Sequence, residues 1–151
     1  MRLSLGGVPL HPAAVHFPIV FWTLAPAADL AYALGYGARC WHVAWLSAAA
    51  GVVSAIPAIA LGAADAFSSR ALTVAETTLL RHSGLMLLVW TLFGLAVVFA
   101  PYQHPTLQQT VLAGMLHGVA WIALLFGAHA GGRLAHVYHL PGSMSGDRPS
   151  V

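Results

Sequence analysis

Four long apolar stretches leave this chain one class of fold. They run from about Ala13 to Leu34, Trp41 to Ala64, Leu79 to Ala100 and Leu107 to Ala130. An α-helix rises about 1.5 Å per residue, so about 20 residues cross a hydrocarbon core of roughly 30 Å. Each stretch is long enough to cross once. In lipid every backbone N–H and C=O must be bonded internally, which a helix does within itself. The sequence therefore predicts an all-α integral membrane four-helix bundle in contact with the lipid bilayer. Charged residues make up 7% of the chain, against about a quarter in a soluble domain, so a soluble surface is excluded. The formal charge of +2 is small, and no basic stripe supports nucleic-acid binding.

Turn chemistry separates the spans. Gly35-Tyr36-Gly37 lies between the first and second, and Pro101-Tyr102-Gln103-His104-Pro105 between the third and fourth. The segment Asp65 to Thr78 is more polar, with Ser68, Ser69, Arg70 and Glu76, and is expected to form a short surface helix. Residues 1–140 read as one transmembrane domain and 141–151 as a flexible Pro-, Gly- and Ser-rich tail. No internal repeat is evident. Pro9 and Pro12 break the N-terminal stretch, so the first span is expected to stay in the mature protein. Cys40 is the single cysteine, so neither an internal disulfide nor a Cys-based metal motif is available, and C-x-x-C-H attachment of haem is excluded.

Arginine placement orients the bundle. Arg2, Arg70, Arg81, Arg133 and Arg148 fall on the side of the termini, and only Arg39 on the other. The positive-inside rule then puts both termini in the cytoplasm. Trp41 and Trp45 open the second span and fit an aromatic anchor at the outer face.

The histidines carry the functional expectation. His16, His82 and His129 fall in the first turn of span one, the first turn of span three and the last turn of span four. All three therefore lie at one depth, where an ionisable side chain is costly and usually faces the interior, a cavity or a metal. Asp65 joins this layer. Nearer the outer face, Asp29 lies about 20 Å beyond His16 and His117 about 18 Å from His129 by helical rise. Asp29 and His117 are expected to face each other as a buried pair, structural first, with proton transfer or ligand contact as the alternative. Gly114 and Gly118 around His117, and Gly127 and Gly131 around His129, would let a helix or a flat macrocycle approach. His11, His136 and His139 read as a solvated rim, and Met86 and Met115 as core filler.

These residues predict haem b, which needs two axial nitrogens from facing helices at equal depth. His16 with His82 is the preferred pair, His129 the alternate, and Arg81 and Arg133 would pair with the propionates. One-electron transfer to a quinone or redox partner protein would follow. The alternative is a zinc or iron site built from His16, His82, His129 and Asp65. A third reading is a non-catalytic accessory subunit, in a homo-oligomer or a larger complex. No Ser-His-acid set supports nucleophilic catalysis, because Ser83 and His82 are neighbours on a helix and point about 100° apart.

The stretch His11-Pro12-Ala13-Ala14-Val15-His16-Phe17-Pro18-Ile19 resembles the signature of domain-of-unknown-function family 2231, bacterial proteins with four spans. Asp29, Gly62-Ala63-Ala64-Asp65, His82, Gly131-Gly132-Arg133-Leu134 and His139 extend the resemblance from about Leu10 to Leu140. The resemblance implies a four-span fold in a bacterial inner membrane and a respiratory or redox setting, since relatives can be joined to cytochrome-like or Rieske-like domains. It implies no settled ligand set. This chain departs in pairing His136 with His139 and is expected to have no fused redox domain, so a separate partner would deliver electrons.

Overall fold

The computed structural model describes residues 4–6, 8–68 and 72–136. A two-residue antiparallel pair, β1 (Ser4–Leu5) and β2 (Val8–Pro9), opens the chain. Five helices follow: α1 (Leu10–Ala14), α2 (His16–Ala33), α3 (Ala38–Ser68), α4 (Leu72–Phe99) and α5 (Leu107–His136). Segments of all four long helices, the first combining α1 with α2, are long and apolar enough to span a bilayer. The tail at 141–151, Arg2, Arg70, Arg148 and His139 lie outside the described residues.

Local chemistry explains the breaks. Pro18 has no N–H to offer the Ala14 carbonyl, and the chain turns at Val15 between α1 and α2. The turn after α2 is a Schellman cap, with Tyr36 N–H donating to the Ala31 carbonyl and Gly35 N–H to that of Tyr32. Gly35 (φ 88°) and Gly37 (φ 100°) adopt the left-handed conformation that this turn requires. Thr106 and Gln109 form a capping box at the start of α5, each bonding the other's backbone N–H. The expected surface helix after Asp65 is absent as a separate element: α3 runs on to Ser68 and α4 begins at Leu72. Its Ala- and Leu-rich sequence favours continuing each span as helix beyond the membrane boundary.

The helices form an up-down bundle. α2 packs on α3 and α5, α4 packs on the same two, and α2 and α4 stand on a diagonal. The proximal end holds α1, the end of α3, the start of α4 and the end of α5. The distal end holds the α2–α3 and α4–α5 turns. Among the described residues, eleven of the seventeen buried apolar ones are alanine, while Phe17, Leu30, Val53, Leu80, Val98, Met115 and Phe126 point outward. Small residues inside and large ones outside is the pattern of helices packed in lipid. Met115 therefore faces the bilayer, whereas Met86 packs on the core as expected.

One seam of positions spaced four and three apart lines the interior of each helix. On the first span it is His11, Val15, Pro18, Trp22, Ala25, Asp29 and Tyr32; on α5 it is Ala113, His117, Ala120, Leu124, Gly127, Gly131 and Leu134. At the distal end, Trp41 and Trp45 donate their indole N–H groups to the carbonyls of Tyr102 (3.1 Å) and Ala100 (2.8 Å). Trp41 is fully buried. These tryptophans serve less as outer-face anchors than as clasps that satisfy the orphan carbonyls after α4 and tie one hairpin to the other.

Candidate functional site: a buried aspartate–histidine pair

The histidines expected to converge do not. His16 and His129 are both exposed on the outside of the bundle. His16 lines an open surface groove with Phe17, Val20 and Phe21. His82 alone of the three turns inward. Its ring rests on Gly131, and Nδ1 donates to the Gly127 carbonyl at 2.8 Å. Asp65 is half-buried and already engaged in an interaction. Arg81 and Arg133 are exposed. Among the described residues, no three His, Cys, Asp or Glu side chains are grouped to hold a metal. The set His16, His82, His129 and Asp65 therefore does not fit a metal ion, and His16 with His82 does not fit a haem held between spans of one chain.

Helix geometry gives the reason. His129 stands two residues from both Gly127 and Gly131, about 200° around the helix from each. Because those glycines face inward, His129 must face out. His11 and His16 stand about 140° apart on the same count, and the seam takes His11. His11 donates from Nδ1 to the Ala58 carbonyl at 2.8 Å, with its ring against Gly62. The rim histidine is thus an interior one. His11 on Gly62 and His82 on Gly131 repeat one arrangement in both hairpins: an imidazole lies over a glycine and bonds the carbonyl four residues earlier. No sequence repeat announced it.

The second expected layer forms. Asp29 and His117 meet between α2 and α5, with Nδ1 2.6 Å from Oδ2. The His117 side chain is 2% exposed and that of Asp29 is 13%. A contact this short needs a proton between the two atoms. A Cβ added at Gly114 would meet the carboxylate only at ordinary van der Waals distance, 3.9–4.0 Å. The imidazole stacks on Phe93 (4.9 Å, 23°), and Phe93 stacks on Trp22 (5.3 Å, 10°). Trp22 in turn lies on Gly51 so closely that a Cβ there would come within 2.5 Å of the indole. His117 Nε2 and Trp22 Nε1 are both buried with no hydrogen-bond partner among the described residues. Buried orphans of this kind are rare and mark a strained or working site. Trp22 and Phe93 went unremarked in the sequence, although Trp22 sits on the seam that holds Asp29.

The remaining histidines mark the distal end. His42 lies tilted against Tyr102, ring centroids 4.6 Å apart. His104 is exposed in the α4–α5 turn with φ 53°.

Residues 7–142 match the family described as predicted membrane protein (DUF2231). The chain belongs to that family. The match spans both hairpins and includes the Asp29–His117 pair and the His11 and His82 contacts, so the DUF2231 domain and the bundle are the same unit. No curated protein and no solved structure matches the chain.

Proposed function

We propose that this DUF2231 protein handles protons within the membrane, with Asp29 and His117 as the working pair. One observation carries the reading: a carboxylate and an imidazole 2.6 Å apart, buried among apolar helices, with Nε2 unpartnered. Ionisable side chains inside a membrane are expensive and are associated with proton relays and ion paths. The rest of the interior supports this focus. Residues 17–28, 43–64, 83–99, 107–116 and 118–128 contain no Asp, Glu, Arg, Lys, His, Cys or Tyr. Between those segments the pair is therefore an island of ionisable groups. With one shared proton it carries one negative charge, and a second proton makes it neutral. The arginine bias supports cytoplasmic termini in a bacterial inner membrane, with the pair nearer the outer side. In proteoliposomes carrying an internal pH dye, an imposed potassium-diffusion potential should drive proton movement. Asp29→Asn and His117→Gln should each reduce it at least tenfold. Flux equal to wild type in both variants rejects the reading.

Binding of haem b, with one-electron transfer to a quinone or a redox partner protein, is the second reading. It draws support from His82, whose Nδ1–H bond to a carbonyl leaves Nε2 as the lone-pair nitrogen, the state of a ligating imidazole. His11 shares that state and takes the place of His16 as the inward imidazole of the first span. The haem spectrum of purified protein should then vanish in His11→Ala and His82→Ala but survive in His16→Ala. A pyridine haemochrome assay showing no haem rejects this reading.

A further inference from the structure

We infer that the chain is built as two like halves that open along one edge, with the Asp29–His117 bond as the protonation-sensitive latch of that edge. The inference rests on the proton-handling reading of the pair and gives water a way to reach it. The halves are the hairpin of α1 to α3 and the hairpin of α4 and α5. His82 and Phe93 stand 71 residues after His11 and Trp22, and Gly127 and Gly131 stand 69 after Ala58 and Gly62. At these offsets buried positions fall on buried positions: Pro18 on Val89, Ala25 on Ala96, Ala44 on Ala113 and Ala55 on Leu124. Trp22 and Phe93 are thus equivalent, and they stack on each other. Equivalent residues that touch straddle a twofold axis, here running along the bundle, which is the arrangement of parallel membrane repeats. Contact is extensive within each hairpin and sparser between them, where α3 meets α4 and α2 meets α5.

The two edges are held differently. Across α3 and α4, Trp41, Trp45 and Trp90 donate their indole N–H groups to the carbonyls of Tyr102, Ala100 and Val52. Their equivalents on the other edge are Thr110, Gly114 and Ile19. Thr110 bonds within its own helix, to the Leu107 carbonyl, Gly114 has no side chain and Ile19 is exposed. Among the described residues, the Asp29–His117 bond is the one polar link between α2 and α5. The α3–α4 edge is therefore the spine, and the α2–α5 edge the side that opens. Charge sets the latch. Holding two protons, the pair is neutral overall; holding one, it leaves a net negative charge among apolar helices, which is costly until water reaches it. Loss of the second proton to entering water thus parts α2 from α5, and its return closes them. The helices packed on the pair bring no other ionisable side chain to its level. α5 has His117 alone over residues 107–128, α4 has none over 83–99 and α3 none over 43–64. On α2 the Tyr32 phenol lies one turn distal, and His42 and Tyr102 are near the distal turns.

Pulsed electron spin resonance on the full chain in lipid nanodiscs tests this, with spin labels on paired cysteines in a Cys40→Ser background. Leu24→Cys with Ile122→Cys reports the α2–α5 edge, and Val53→Cys with Leu88→Cys the spine; all four side chains are exposed. Raising the pH from about 5 to about 9, either side of the ordinary histidine range, should lengthen the α2–α5 distance by more than about 2 Å. The spine distance should stay fixed. In Asp29→Asn, or Asp29→Leu if the amide variant does not fold, no carboxylate is left to carry the charge. The α2–α5 distance should then stay short at the higher pH, where the wild type opens. A wild-type α2–α5 distance that ignores pH, a spine that lengthens equally, or an Asp29→Asn distance that lengthens as in wild type overturns the latch. Proton flux in proteoliposomes separates this from the reading beneath it. Asp29-dependent flux beside a fixed α2–α5 distance overturns the latch and upholds the proton-handling reading. Flux that survives in both Asp29→Asn and His117→Gln overturns that reading itself.

Discussion

His82 rests on Gly131 so tightly that a Cβ at that glycine would come within 2.9 Å of the imidazole, while Nδ1 bonds the Gly127 carbonyl one turn earlier. His11 and Gly62 repeat the contact at 2.8 Å in the other hairpin. Both glycines are needed because of what leans on them, a rigid ring that already has its own bond.

The first prediction follows from that contrast. Gly131→Ala and Gly62→Ala should each displace an imidazole and break its carbonyl bond, destabilising the bundle by about 1–3 kcal/mol. Gly132→Ala meets open space and should be neutral. Unfolding in mixed detergent micelles measures all three, and equal midpoints would remove the proposed packing role.

Gly51 supports Trp22 in the same manner. Gly51→Ala would place a Cβ 2.5 Å from the indole, at the centre of the aromatic stack. The expected loss is about 1–3 kcal/mol, with altered tryptophan fluorescence. Gly94→Ala, which meets nothing within 4 Å, serves as the control and should match wild type.

The Asp29–His117 bond should show strong coupling. Asp29→Asn and His117→Gln each leave a buried polar group short of its partner. A double-mutant cycle is expected to give an interaction energy of about 1.5–3 kcal/mol, the range for a hydrogen bond to a charged group. Strictly additive losses would mean that the two side chains do not interact.

Trp41→Phe and Trp45→Phe keep the rings and remove the N–H donors to Tyr102 and Ala100. Each should cost about 1 kcal/mol and loosen the two hairpins at the distal end. Faster amide hydrogen exchange at residues 100–106 is the local readout. Unchanged exchange in both variants would show that the clasp contributes nothing there.

The spans, their number and the turns were legible in the sequence because each depends on neighbours along the chain. Twenty apolar residues, a Gly-x-Gly turn and a Thr-x-x-Gln cap act within one helix or one loop. The Asp29–His117 level was legible too, since rise per residue converts spacing into depth. Depth, however, says nothing about direction. His16, His82 and His129 do share a level, yet two of them point away from the interior.

Direction around the helix was decided by which faces of four helices could approach one another. Glycine and alanine at Ala113, Ala120, Gly127 and Gly131 admit a neighbour's backbone, so that stripe turns inward and carries His117 with it, while His129 falls on the opposite side. The choice of His11 over His16 was settled likewise, by the seam through Pro18, Trp22 and Asp29. A hydropathy profile reports what each helix is made of; rotation is a property of pairs, and only the packed bundle contains it.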